Sequence, residues 1–104
     1  MKIRLLLAIA ALWANGALAF NPADVEKLRN TGSCPKCDLS KFQFPNKAQL
    51  ENADLVDADL RDVNLNGVNL TGANLERAKL ERANLNGANF SRANLENAKG
   101  LKRF

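Results

Sequence analysis

Ala48-Gln49-Leu50-Glu51-Asn52-Ala53-Asp54-Leu55-Val56-Asp57-Ala58-Asp59-Leu60-Arg61-Asp62 begins a pattern that returns every five residues as far as Ala98. Written around its large apolar residue, the pattern centres on Leu50, Leu55, Leu60, Leu65, Leu70, Leu75, Leu80, Leu85, Phe90 and Leu95 without a slip. Two residues before each centre stands Ala or Val. One residue before it stands Asp or Asn, with Gln49 and Lys79 as exceptions. A helix needs apolar residues at a period near 3.6 and a strand at a period of 2, so a period of five fits neither. It fits a chain that turns a corner every five residues and sends one small and one large side chain inward each time. Units of this kind stack into a solenoid with a continuous core.

The units Ala53-Asp54-Leu55-Val56-Asp57, Ala73-Asn74-Leu75-Glu76-Arg77 and Ala88-Asn89-Phe90-Ser91-Arg92 resemble the A(D/N)LXX consensus of the pentapeptide repeat family. The resemblance implies an all-β fold, a right-handed parallel β-helix of square cross-section with four pentapeptides per coil. Extended backwards, Cys37-Asp38-Leu39 and Phe42-Gln43-Phe44 resemble two further units, with centres at Leu39 and Phe44. The step from Phe44 to Leu50 is six residues, which predicts one extra residue bulging near Pro45 or Asn46. Twelve units at four per coil imply three coils.

The N-terminus has the anatomy of a secretory leader. Lys2 and Arg4 make a short basic segment, Leu5 to Trp13 is an apolar run, and Ala17-Leu18-Ala19 is a small-residue cleavage site. The run is shorter than the ~20 apolar residues of a membrane span. Cleavage after Ala19 leaves a mature chain starting at Phe20, without a membrane span, and places the protein in the periplasm or outside the cell. The net charge of the whole chain is +4; removing Lys2 and Arg4 lowers it to +2. The expected organisation is a signal peptide over 1–19, a capping helix and cysteine segment over 20–36, the repeat β-helix over 37–99 and a tail over 100–104.

Asn21-Pro22-Ala23-Asp24-Val25-Glu26-Lys27-Leu28-Arg29 carries a helix start signal: Asn at the N-cap, Pro at the first helical position and acids in the first turn. Val25 and Leu28 share one face, which is expected to cover the open top of the first coil. At the other end Gly100 stands where the next centre would fall. Leu101 and Phe104 are expected to fold over the last coil, with a homodimer through this end as the alternative.

The two cysteines, Cys34 and Cys37, are spaced C-x-x-C. In an exported chain the first reading is a structural disulfide. Free buried thiols and a redox or metal-handling pair are the alternatives. A zinc site is disfavoured because it wants four ligands and the chain has no His and no third Cys. No catalytic constellation is visible: there is no His or Tyr, and Ser33, Ser40 and Ser91 have no candidate base. The expectation is therefore a non-enzyme with no catalytic residues, cofactor or metal.

Its expected role is that of an exported structural or protein-interaction module of the cell envelope, bound to a protein partner and not to nucleic acid. The alternative is a periplasmic thiol- or metal-handling protein acting through Cys34 and Cys37. A third reading follows from the resemblance alone, since some pentapeptide repeat proteins mimic DNA and bind gyrase. Those are acidic, cytoplasmic and longer, and this chain departs on each count.

If a coil is 20 residues long, outward side chains 20 apart stack about 4.8 Å from one another. That offset sets Asp57 over Arg77, Asp59 over Lys79, Arg61 over Glu81 and Asp62 over Arg82. All four are opposite-charge pairs. A slip of five residues would leave every core centre filled, so these pairs are expected to fix which unit lies over which.

Overall fold

The computed structural model describes residues 19–101. The expected leader, apart from Ala19, and the tail residue Phe104 lie outside the described residues. Ten parallel β-bridges organise the chain, made by the residue before each inward position, which is a large apolar centre except after Ser33 and Lys99. From Gln49↔Asn69 to Lys79↔Lys99 the partners are 20 residues apart, so the chain winds once in every four pentapeptides. The earlier bridges, Ser33↔Asp54, Asp38↔Asp59 and Gln43↔Asn64, join residues 21 apart. The extra residue therefore falls between Gln43 and Gln49. Regular corners close from the small residue to the preceding centre, as Ala53 N–H does to the Leu50 carbonyl at 3.1 Å. Ala48 N–H closes instead on Pro45, at 3.0 Å, which leaves Phe44 one residue outside the turn.

Every corner needs a left-handed residue. Gly67 (φ 72°) supplies it at no steric cost, but Asp57 (59°), Arg77 (58°) and Arg82 (61°) adopt the same conformation. Hydrogen bonds between coils hold the first two of these there: Asp57 N–H donates to the Glu76 carbonyl at 2.9 Å and Arg77 N–H to Glu96 at 2.9 Å. The preference for Asp or Asn before each centre has its own cause. The N–H two residues later lies outside the ladder, and the Asx oxygen accepts from it. Asn64 accepts from Asn66 N–H at 3.0 Å, Asn74 from Glu76 at 3.1 Å and Asn94 from Glu96 at 2.9 Å. Ser33 and Gln43 replace Asx in two units, and there the receiving position is Pro35 or Pro45, which has no N–H to satisfy.

The core is a stack of these centres. Leu39, Leu50, Leu60, Leu70 and Leu75 are wholly buried, with Ala53, Ala58, Ala73 and Ala78 beside them. Three features differ from the sequence reading. The ladder begins at Ser33, ahead of the expected start at Cys37, and the wholly buried Cys34 takes the place of a centre. Phe42 fills a position where later units hold Ala or Val, and it stacks edge-on with Phe20 (5.0 Å between ring centroids) and Phe44 (4.7 Å). Leu85, Phe90 and Leu95 are only partly buried, because no further coil among the described residues lies beyond them.

Helix α1, Pro22–Thr31, precedes the ladder. Asn21 caps it by accepting from Ala23 N–H at 2.9 Å, and Gly32 (φ 74°) ends it in the left-handed conformation. Val25 and Leu28 are wholly buried in the same cluster as Leu39 and Leu50. Asn21 N–H donates to the Asp38 carbonyl at 3.0 Å, and an Asp24 carboxylate oxygen accepts from Asp38 N–H at 2.9 Å. In later coils the corresponding groups pair with a coil above.

Leu75→Ala should lower unfolding free energy by about 2–5 kcal/mol in urea denaturation, and Leu95→Ala by less than half as much. Asn74→Ala, which orphans the Glu76 N–H, should cost about 0.5–1.5 kcal/mol. Lys79 has no side-chain acceptor for Glu81 N–H, so Lys79→Asn should shift the midpoint in the opposite direction.

Candidate interaction surface

Outside the core, side chains stand in columns because each coil repeats the position of the one before. At one corner the column reads Lys36, Asp57, Arg77; at the next it reads Lys41, Asp62, Arg82. Charge alternates down both. Arg77 grips Asp57 with two parallel bonds, Nε to Oδ1 at 3.0 Å and Nη2 to Oδ2 at 3.1 Å, and reaches Glu76 at 2.7 Å. Arg82 grips Asp62 in the same way, at 2.8 and 3.0 Å. The hydrogen bond from Arg77 lowers the pKa of Asp57, with added attraction from Arg77 and Lys36. The hydrogen bond from Arg82 does the same for Asp62, with Lys41 and Arg61 contributing. Burial works against both shifts but is outweighed.

The other two expected pairs form differently. Arg61 turns back to Asp59 in its own unit, Nε to Oδ1 at 2.8 Å and Nη2 to Oδ2 at 2.6 Å, and makes no ion pair with Glu81. Both Asp59 oxygens are thereby engaged. Lys79 bridges Asp59 through the backbone, yet its ammonium makes no ion pair with it and acts only through space. Arginine's fork matches a carboxylate two residues away on the same edge, and a lysine point charge does not displace it. Lys36 and Lys41 escaped the sequence reading because an offset of 20 does not align them. The extra residue in the first coil makes their offset 21.

The remaining two sides carry no such columns. One presents Gln43, Asn64 and Asn84 with Asn66 and Asn86, the other Gln49, Asn69 and Asn89 with Thr71 and Ser91. The oxygens of Asn64, Asn69, Asn84 and Asn89 are turned onto backbone N–H groups, which leaves their amide NH2 groups as donors, while Gln43 Nε2 donates to the Lys41 carbonyl. Gly67 is confined by more than its φ: a Cβ there would run into the Asn46 side chain. Cys34 and Cys37 lie with their sulfurs at disulfide distance and their Cα atoms 5.4 Å apart, and both are buried. Among the described residues no group of three or more His, Cys, Asp or Glu is placed to hold a metal ion, and no helix is long and apolar enough to cross a membrane.

Reversing Arg82 to Asp should destabilise the fold, and Asp62→Arg in the same chain should recover most of the loss, read by thermal unfolding. The carboxylate contribution has a defined pH window. Because the folded pKa of Asp57 and Asp62 is depressed, their stabilisation is whole above the ordinary value of 3.8 and is lost as pH falls through the lower folded value. Asp57→Asn with Asp62→Asn should flatten that acid limb while leaving the neutral-pH fold in place by circular dichroism.

A family model described as pentapeptide repeats matches residues 46–82 and 73–99, with eight copies of the repeat. The structure is similar to that of the pentapeptide repeat protein Rfr23 from the cyanobacterium Cyanothece 51142, at 32% identity and a TM-score of 0.57. That likeness covers 60% of this chain and 42% of the other, so the match spans less than half the length of that relative. A second pentapeptide repeat protein, alr5209 from Nostoc Pcc 7120, aligns over 95% of this chain and 78% of its own at 24% identity and a TM-score of 0.29. The fold comparison rests on the first. No curated protein matches the sequence. Five-residue units, a parallel ladder and matching family residues agree: this chain belongs to the pentapeptide repeat family, whose members fold as right-handed β-helices.

Proposed function

We propose that this chain is an exported, non-enzymatic pentapeptide repeat module that binds a protein partner through the sides of its solenoid. One observation carries the reading: polar side chains stand in fixed columns on flat walls, and none of them converges on a cavity with a nucleophile and a base. Rigid, regularly spaced donors and charges offer a partner a surface whose ordering cost is already met. The amide columns Gln43/Asn64/Asn84 and Gln49/Asn69/Asn89 are the walls proposed for contact, since the charges of the Asp57–Arg77 and Asp62–Arg82 corners are engaged with one another.

The finer architecture belongs to the same proposal. Three coils stack, helix α1 caps the first, and a Cys34–Cys37 bridge fixes the junction between them. Export follows from the leader sequence, and Phe20, the first residue after the proposed cleavage, is buried against Phe42. The thiol-handling reading is weaker, because a pair exchanging electrons with a partner needs an accessible sulfur and Cys34 is 0% exposed.

Expression with the leader should yield an exported protein whose N-terminal residue by sequencing is Phe20; a cytoplasmic product that retains Met1 counts against export. That exported protein should contain no free thiol under denaturing conditions. Replacing both cysteines with Ser should lower the melting temperature modestly and preserve the β-rich circular dichroism spectrum. Crosslinking in the envelope fraction should capture a protein through residues of the amide walls, and Asn64→Lys with Asn84→Lys should abolish capture without unfolding.

A further inference from the structure

Two Asn-Gly steps occur among the described residues, Asn66-Gly67 and Asn86-Gly87, one coil apart. Another, Asn15-Gly16, lies outside them. The dipeptide has a chemistry of its own. The backbone nitrogen that follows an asparagine can attack that side chain's Cγ and close a five-membered ring, and glycine, with no Cβ, hinders the approach least. The attack needs a glycine N–H that is free to lose its proton and a main chain that is free to rotate.

Both steps form the same corner. Each asparagine is exposed, and each glycine is left-handed at φ 72°. Val68 N–H closes the first turn on the Leu65 carbonyl at 3.0 Å, and Ala88 N–H closes the second on Leu85 at 3.1 Å. Asn66 N–H donates to Asn64 Oδ1 at 3.0 Å, and Asn86 N–H to Asn84 Oδ1 at 3.1 Å. The corners differ in what lies beyond them. Gly67 N–H donates to the Asn86 carbonyl at 2.9 Å and Leu65 N–H to the Asn84 carbonyl at 2.8 Å, so opening the first corner parts two coils. The N–H groups of Gly87 and Leu85 have no backbone partner among the described residues. Leu65 is buried, whereas Leu85 is only partly so. Asn66 Oδ1 also lies over Gly87, 3.7 Å from where a Cβ would stand, so its amide packs on the next coil.

We propose that Asn86 is a site of spontaneous deamidation, and that Asn66, its equivalent one coil earlier, is protected from it. The Gly87 nitrogen gives up its proton and bonds to Asn86 Cγ. The side-chain nitrogen takes up a proton in exchange and leaves as ammonia, and a succinimide remains. Water then adds to one of the two ring carbonyls and breaks that carbon's bond to the Gly87 nitrogen. Opening at Cγ leaves isoaspartate's isomer, ordinary aspartate, with its main chain unchanged. Opening at the α-carbonyl leaves isoaspartate, whose main chain runs through the former side chain and is one methylene longer. Water is the only co-reactant. Either product puts a carboxylate on a wall of neutral amides, beside Asn84, and isoaspartate lengthens the corner that follows Leu85. Access is set by how readily each corner opens locally, and only the stack makes the two corners unequal.

Prolonged incubation of the purified chain at mildly alkaline pH, followed by tryptic mapping with mass spectrometry, tests this. Trypsin releases residues 62–77 with Asn66 and residues 83–92 with Asn86, and fragment ions locate the acid within each peptide. In the folded chain Asn86 should convert about tenfold or more faster than Asn66, because only Asn66 needs an inter-coil hydrogen bond broken and two coils parted. In guanidinium chloride, at a concentration that abolishes the circular dichroism signal, the two should convert at similar rates. Asn86→Gln, whose longer side chain would have to close a six-membered ring, should stop conversion in residues 83–92 and leave the folded spectrum unaltered. Conversion of Asn66 as fast as Asn86 in the folded chain overturns the proposal, because the coil beyond then gives no protection. An Asn86 that converts only in guanidinium chloride, or in neither solvent, overturns it as well, because its corner is then as closed as the first.

Discussion

The five-residue side is the constraint on which the rest of this structure depends. A side that short must turn at once, and each turn uses a left-handed residue that only glycine adopts freely. Ten non-glycine residues hold positive φ in the described chain, with Lys36, Asn52 and Arg92 among them. No single one would hold that conformation by itself. Where another coil follows, the corner is over-determined: the small residue's N–H closes the turn, the left-handed residue's N–H reaches the next coil, and the Asx oxygen takes the one N–H the ladder leaves over. Alanine two residues before the centre follows from the same geometry, because the narrow interior has space for one large side chain per side.

Such a scaffold is rich in translational symmetry and poor in uniqueness. Every side looks alike to the core, so a slip of one pentapeptide would leave leucine over leucine. The extra residue at Pro45 and the corner charges break that degeneracy. Lys36–Asp57–Arg77 and Lys41–Asp62–Arg82 alternate in sign only when coils stack as they do here. Exposed pairs contribute little stability singly. A slip of one unit would keep one opposite-charge pair, Asp57 with Arg82 or Asp62 with Arg77, and set the other aspartate against a glycine, so both pairs form only in this register.

The ends complete the logic. A solenoid's interior coils satisfy one another, and its terminal coils have to be satisfied by something else. On the N-terminal side, Asn21 N–H and the Asp24 carboxylate bond to the carbonyl and N–H of Asp38, and Val25 and Leu28 are buried in the same cluster as Leu39. At the C-terminal side, among the described residues, Leu101 packs against the core and Gly100 lies close to the Glu81 backbone, while Leu85, Phe90 and Leu95 are partly buried.

Much of this was legible in the sequence, because a five-residue period is local information. The centres, the small inward residues, the extra residue near Pro45 and the caps of α1 each follow from residues within a few positions of one another. Other features came from stacking. Cys34 reads as a loop residue beside Pro35 and becomes a core centre only when Ser33 lies over Asp54. Lys36 and Lys41 join the charge columns through an offset that the bulge alone sets. Arg61 chose Asp59 over Glu81 because the nearer carboxylate fits its fork, a matter of reach and not of spacing along the chain. Leu85, Phe90 and Leu95 obey the same pattern as Leu75, yet they are half open. Sequence determined which side chains face inward; only the tertiary stack decided which of them another coil would cover.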